Sequence, residues 1–175
     1  MNGKRTIKFS IWIAIAVFLA LAFPRVSDAQ QSVCKQQGSR QVSLRASAAI
    51  SATANGTVIG SLQDCREAMF ILDVTVASAG VDATGALNVY VQTSPDGTNY
   101  TDVVAFALIS ASTAQRIARW TSRTDPTTAE GALQAGALSA GTVQDGPAGR
   151  LWRVRSVVSG TVGSWTMSVG GYFRD

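Results

Sequence analysis

Apolar and polar residues alternate along several short stretches of this chain of 175 residues. The clearest stretch is residues 70–77, where one set of alternate positions holds Phe70, Leu72, Val74 and Val76. Ile71, Asp73, Thr75 and Ala77 stand between them, so the second face is only partly apolar. A period of two residues is typical of a β-strand, in which successive side chains point to opposite faces. The pattern predicts a strand with one buried and one half-buried face.

The same alternation predicts further strands. They cover residues 42–50, 57–62, 87–91, 100–108, 152–155 and 165–174. Trp152 and Trp165 occupy the apolar positions of the last two strands, so we expect both in the core.

Three turn sequences separate these strands. Ser94-Pro95-Asp96-Gly97 places proline and glycine where a tight turn favours them, and it predicts a hairpin. Asn55-Gly56 predicts a turn before residues 57–62, and residues 159–164 predict a second hairpin near the C-terminus.

Seven or eight strands with little helical periodicity predict an all-β fold. We expect an antiparallel two-sheet β-sandwich of the jelly-roll type over residues 41–175. Residues 121–150 depart from the pattern, because 18 of these 30 residues are Gly, Ala, Ser or Thr. This long loop is either a flexible excursion or a segment ordered by a subunit or ligand. Residues 131–138 favour a short helix only weakly.

Residues 1–29 have the order of a secretory signal. Lys4, Arg5 and Lys8 precede an apolar helix-forming run at residues 11–23, and small residues stand before a cleavage point after Ala29. The run is shorter than the roughly 20 residues that span a bilayer, so an uncleaved membrane anchor is the weaker alternative. Export to the periplasm, cell surface or medium follows.

Cleavage would remove most of the net positive charge. The chain has 15 basic and 11 acidic residues; four of the basic ones and Asp28 lie within residues 1–29, which leaves 11 against 10. A net charge near +1 gives no reason to expect nucleic-acid binding.

Cys34 and Cys65 are the two cysteines. An even number in an exported chain favours a disulfide, which would tie residues 30–40 to the domain; two free thiols are the alternative. A zinc site lacks ligands, because the chain has no histidine.

Catalytic groups are scarce. The absence of histidine excludes Ser-His-Asp and Cys-His sites, and Glu67 and Glu130 are the only glutamates. We therefore predict no enzyme and no cofactor. A lone calcium site would have to use loop aspartates such as Asp82 or Asp96.

One basic and aromatic cluster stands out. Arg116, Arg119 and Arg123 surround Trp120, and arginine and tryptophan are enriched at binding hot spots. Together with Tyr100, these residues are the candidate contacts for a partner or glycan. The alternative is a strand end whose arginines face solvent.

Residues 87–103 read LNVYVQTSPDGTNYTDV, and a late strand LWRVR is followed by a Ser-Gly turn. This arrangement resembles the β-sandwich accessory and decoration proteins of tailed-phage virions and, less closely, discoidin-like surface-binding modules. The resemblance implies a non-enzymatic sandwich that coats an assembly or binds a surface. An export signal departs from the phage pattern, because virion proteins assemble in the cytoplasm.

Together these observations predict an exported, non-enzymatic structural or interaction subunit. Its expected partners are copies of itself or a cell-surface or particle assembly. The alternative is a secreted carbohydrate- or cell-surface-binding module, with a polysaccharide as ligand. Membrane contact is expected only through an uncleaved signal segment.

Overall fold

The computed structural model describes residues 34, 38–78, 85–110, 112–122, 138–160 and 163–175. They belong to one compact unit, Ser32–Asp175. The predicted signal segment, residues 1–29, lies outside the described residues. The described part contains nine strands: β1 (Ser39–Ile50), β2 (Ala54–Asn55), β3 (Glu67–Ser78), β4 (Ala86–Ser94), β5 (Thr101–Ala105), β6 (Ala114–Thr121), β7 (Thr142–Val143), β8 (Leu151–Ser159) and β9 (Ser164–Arg174).

The strands form two antiparallel sheets that pack face to face. The four-stranded sheet has the order β1-β9-β3-β6, and the five-stranded sheet has the order β2-β8-β4-β5-β7. Four strands in the first order opposite β2-β8-β4-β5 make a jelly roll, to which β7 adds a short edge strand. The predicted all-β sandwich is confirmed. In the described part of the chain, no helix has the length and hydropathy to cross a membrane.

Trp152 of β8 is the centre of the core between the sheets. Its ring lies 5.1 Å from Trp120, 5.2 Å from Phe173 and 5.7 Å from Phe70, measured between centroids. These three residues come from the four-stranded sheet, so Trp152 joins the two layers. Each such aromatic pair adds about 0.5–1.5 kcal/mol beyond the area that it buries. Trp165 is also fully buried, and both predicted core tryptophans are confirmed.

The two predicted hairpins have different outcomes. β4 and β5 pair directly around residues 95–100, with Thr93 opposite Thr101, and Gly97 has a φ of 81° as that turn requires. The prediction for residues 159–164 is wrong, because β8 and β9 belong to different sheets. The chain crosses from one layer to the other there. A short Ser-Gly turn is compatible with either connection, so local sequence does not distinguish them.

The region after β1 also differs from its prediction. The turn residue Asn55 belongs to β2, where it pairs with Arg155 of β8. Residues 57–62 form no strand, although an isolated bridge pairs Ile59 with Trp152 of β8. Leu62 is buried instead beside Cys65, whose N–H donates to its carbonyl at 3.2 Å. Val58 is 45% exposed and Ser61 has a positive φ of 64°, so the chain turns here instead of continuing as a strand.

Two further details refine the strand predictions. Val76 is 54% exposed rather than buried, because the pairing of β3 with β9 shifts register between Val74 and Val76. The segment 121–150 contains the short strand β7, whereas residues 123–137, including most of the weak helix at 131–138, lie outside the described part.

The predicted disulfide is present. Cys34 and Cys65 are joined, with their Cα atoms 5.3 Å apart and 31 positions apart in sequence. Both side chains are buried, so the bond ties the start of the domain to the segment that leads into β3.

Candidate functional site

The two aromatic residues predicted as contacts are buried. Trp120 is 2% exposed and packs edge-on against Trp152. Tyr100 is 7% exposed, and the guanidinium of Arg153 covers its ring at 3.5 Å from the centroid. A stacking platform needs an open ring face, and neither ring presents one.

The arginines around Trp120 do not form one surface. Arg119 pairs with Met69 and lies on the outer face of the four-stranded sheet. Arg116 pairs with Leu72 and therefore lies on the opposite face, at the sheet edge, where it remains exposed. Arg123 lies outside the described residues. Trp120 is buried near the end of β6, and Arg116 and Arg119 are exposed. This arrangement agrees with the alternative interpretation, a strand end whose arginines face solvent.

Asp96 is a loop aspartate named above as a possible calcium ligand, and its carboxylate is hydrogen-bonded within its own turn. Its Oδ1 accepts the backbone N–H groups of Thr98 and Asn99, each at 2.8 Å. These bonds hold the pKa of the Asp96 carboxyl well below its usual range. Asp82 lies outside the described residues. Within the described ranges, no three acidic or cysteine side chains come close enough to hold a metal ion.

A polar cluster lies on the outer side of the five-stranded sheet. Gln92 donates from Nε2 to Asp102 Oδ1 at 2.6 Å, and Arg153 donates from Nε to Gln92 Oε1 at 2.8 Å. Burial raises the pKa of Asp102, although the bond from Gln92 and the charge of Arg155 act in the opposite direction. These residues bond mainly to one another, so the cluster joins β4, β5 and β8.

The outer face of the four-stranded sheet is different in character. It consists of the side chains that alternate with the buried ones on three neighbouring strands. They are Glu67, Met69, Ile71 and Asp73 of β3; Gln115, Ile117 and Arg119 of β6; and Ser168, Gly170, Tyr172 and Arg174 of β9. We call this set the outer face.

Apolar side chains occupy the centre of the outer face. Strand register places Ile71 between Ile117 and Gly170, and Met69 between Arg119 and Tyr172. Ile117 is 63% exposed and Tyr172 is 41% exposed. Isolated apolar side chains are common on protein surfaces, but a contiguous group is typical of a contact surface.

A groove of about 370 Å³ crosses one end of the outer face. Met69, Arg119 and Tyr172 line it, together with the ion pair of Glu67 with Arg174. Arg174 donates from Nε to Glu67 Oε2 at 2.6 Å. The groove thus combines an exposed aromatic ring with charged hydrogen-bonding groups.

A second cavity, of about 180 Å³, lies between the β4–β5 hairpin and residues 144–149. Pro95, Val103, Pro147 and Ala148 form much of its wall. The Thr93 hydroxyl beside it accepts the Gly149 N–H at 2.9 Å. This cavity offers apolar surface and backbone groups, and its one carboxylate, Asp145, accepts the Thr121 N–H.

The sequence indicated part of the outer face. The alternation in residues 70–77 predicted a half-buried second face that includes Ile71. Tyr172 alternates with the apolar residues of residues 165–174, but nothing local in the sequence indicates that β3, β6 and β9 are neighbours. That relationship depends on the sheet order.

Comparison of the chain with protein-family models, with curated proteins and with solved structures gives no match.

Proposed function

We propose that this protein is an exported, non-enzymatic structural subunit that associates with copies of itself through the outer face. The observation that supports this is the contrast between the two sheets. The outer side of the five-stranded sheet carries Gln92, Arg153, Arg155 and the buried Asp102, whereas the outer face has Met69, Ile71 and Ile117 at its centre. An apolar centre with a charged rim is the usual anatomy of a protein interface.

Two features support export and a structural role. A disulfide between Cys34 and Cys65 supports export, because such bonds persist mainly in oxidising compartments. Jelly rolls occur in viral capsid proteins and in lectins, both of which work by association rather than catalysis. The resemblance to phage decoration proteins agrees with a particle or surface assembly.

Self-association is tested by sedimentation equilibrium of protein purified after secretion of the full chain. We expect the mean mass to rise with concentration above that of one chain. A single-chain mass that persists to millimolar concentration would overturn the proposal. Fractionation of the source into medium, envelope and assembled particles tests the location.

The groove favours one second candidate, a carbohydrate-binding module. Tyr172 presents a partly exposed ring, and the Glu67–Arg174 pair beside it offers donors and acceptors to sugar hydroxyls. A glycan array with Tyr172→Ala tests this, with Tyr90→Ala on the other sheet as the matched control. Binding that both variants retain equally would exclude the groove.

A further inference from the structure

We propose that two copies of this chain pack outer face to outer face about a twofold axis parallel to the strands and midway between β3 and β9. This inference rests on the proposed function, and it specifies the partner and the register. Such an axis places each β3 residue over the β9 residue of the second copy with which it pairs in its own chain. The interface is isologous, so every contact occurs twice.

The central contact joins a projecting side chain to a hollow. Ile71 pairs with Gly170 within the chain, so the axis places Ile71 over Gly170 of the second copy. A Cβ atom added at Gly170 would meet nothing within 4 Å, which leaves an open hollow beside Ile71. The two isoleucines can therefore enter the two hollows without displacing any backbone.

The next contact joins sulfur and aromatic groups. Met69 and Tyr172 are cross-strand neighbours, so the same axis brings Met69 of each copy to Tyr172 of the other. Thioether sulfur packs favourably at the edge of an aromatic ring. This contact covers two of the residues that line the groove in both copies.

The outermost contact is electrostatic. Glu67 and Arg174 are opposite each other in register and are paired within the chain. The axis places Glu67 over Arg174 of the second copy, which gives an alternating ring of two carboxylates and two guanidiniums. Charges at an interface rim mainly determine register and partner choice.

A twofold axis perpendicular to the strands fits less well. If it ran through the row of Ile71, it would place Ile71 over Ile71 and Gly170 over Gly170. The isoleucines would then collide while the hollows stayed unfilled. The parallel axis avoids both defects and is therefore the register that we infer.

The size of the face limits the strength of this contact. The axis also lays β6 of each copy over β1 of the other, so all four strands of the sheet take part. Four strands spaced about 4.8 Å apart, over seven residues of about 3.4 Å each, cover a projected area of about 460 Å² per copy. A standard interface buries about 800 Å² per partner. We therefore expect a weak dimer whose population depends on concentration, as suits a subunit that gains further contacts in a larger assembly.

The test is a charge exchange measured by sedimentation equilibrium at low salt, on protein secreted from the full chain. Glu67→Arg and Arg174→Glu each create a ring of four like charges, so each variant alone should dimerise about tenfold or more weakly. A mixture of the two variants should recover dimers, because unlike rings then face each other. Circular dichroism should show that both variants remain folded, since the Glu67–Arg174 pair is exposed.

A second variant tests the central contact without altering the ring. Gly170→Lys places a long charged side chain in the hollow and should abolish dimerisation, whereas Asn88→Lys on the five-stranded sheet should have no effect. If the wild type associates but none of these variants changes it, the register is wrong while self-association stands. If the wild type remains a single chain and Tyr172→Ala removes glycan binding, both proposals fail in favour of the glycan site.

Discussion

Ser94 and Asp96 hydrogen-bond to each other across the β4–β5 turn. The Ser94 hydroxyl donates to Asp96 Oδ1 at 2.9 Å, and its oxygen accepts the N–H of Gly97 at 2.9 Å. Asp96 in turn accepts the N–H groups of Thr98 and Asn99. Two short side chains thus satisfy most of the turn's backbone donors and hold the hairpin closed.

Asp96→Ala should therefore lower stability more than Asp96→Asn. Asparagine keeps an oxygen acceptor for Thr98 and Asn99, whereas alanine leaves those donors to water. Urea denaturation should give midpoints in the order wild type, Asp96→Asn, Asp96→Ala. Equal midpoints for the two variants would show that the carboxylate oxygen is not what orders the turn.

The hydrogen bonds to the Asp96 carboxylate also predict that the stability of the domain depends on pH. The folded state lowers the pKa of Asp96, so its contribution is complete above the ordinary aspartate pKa of about 3.9 and is lost as the pH falls through the lower folded value. The midpoint difference between wild type and Asp96→Asn should shrink as the pH falls below about 4. A constant difference would contradict the assigned bonds.

Asp102 should show the opposite dependence on pH. Burial raises its pKa, so the folded state holds the proton more tightly than the unfolded state. Stability should then decrease as the pH rises from about 3.9 through the raised folded value. Asp102→Asn keeps an acceptor for Gln92 and removes this titration, so its stability relative to wild type should be highest near pH 8 and lowest near pH 4. Chemical denaturation at each pH measures it, and a pH-independent difference would contradict it.

Loss of the Cys34–Cys65 disulfide should destabilise the domain by about 3.5 kcal/mol, since it closes a loop of 31 positions. Cys34→Ser with Cys65→Ser and chemical reduction of the wild type should lower the urea midpoint equally. Reduction should leave the double variant unchanged, which makes that variant the control for side effects of the reductant.

Two glycines should respond oppositely to alanine. A Cβ atom at Gly149 would lie 2.2 Å from the backbone carbon of Ser94, so Gly149→Ala should cost about 2–3 kcal/mol. At Gly170 the space is open, and Gly170→Ala should be neutral or stabilise by up to about 1 kcal/mol. Thermal melts at low micromolar concentration, where dimers are few, provide the comparison. Similar melting temperatures for the two variants would contradict the close approach at Gly149.

Local patterns predicted most of the strands but not their neighbours. The alternation in β8 and β9 correctly placed Trp152 and Trp165 in the core, since burial of one face follows from a period of two. The connection at residues 159–164 was predicted as a hairpin, because the sequence of a turn does not specify whether the next strand joins the same sheet. That choice depends on which strands the next segment can pair with, and those strands are distant in sequence.

Long-range packing also explains why the predicted contact residues Trp120 and Tyr100 are buried. Trp120 and Tyr100 are aromatic residues near charges, and composition alone suggested contact residues. Trp120 is buried against Trp152, and Tyr100 is covered by Arg153. Both contacts join segments that are distant in sequence, so local patterns do not indicate them. Alternation along β9 puts Tyr172 on the side opposite the buried Phe173, and the sheet order then brings it beside Met69.

The position of the disulfide has a mechanical consequence. The covalent loop from Cys34 to Cys65 contains both β1 and β2, which are edge strands of the two sheets. A pull on the chain before Cys34 passes through the sulfur atoms to the base of β3, so the loop carries no load. The residues between Cys34 and Cys65, β1 and β2 among them, are therefore shielded from a force applied along the chain, and the distance between the two points of attachment does not depend on them.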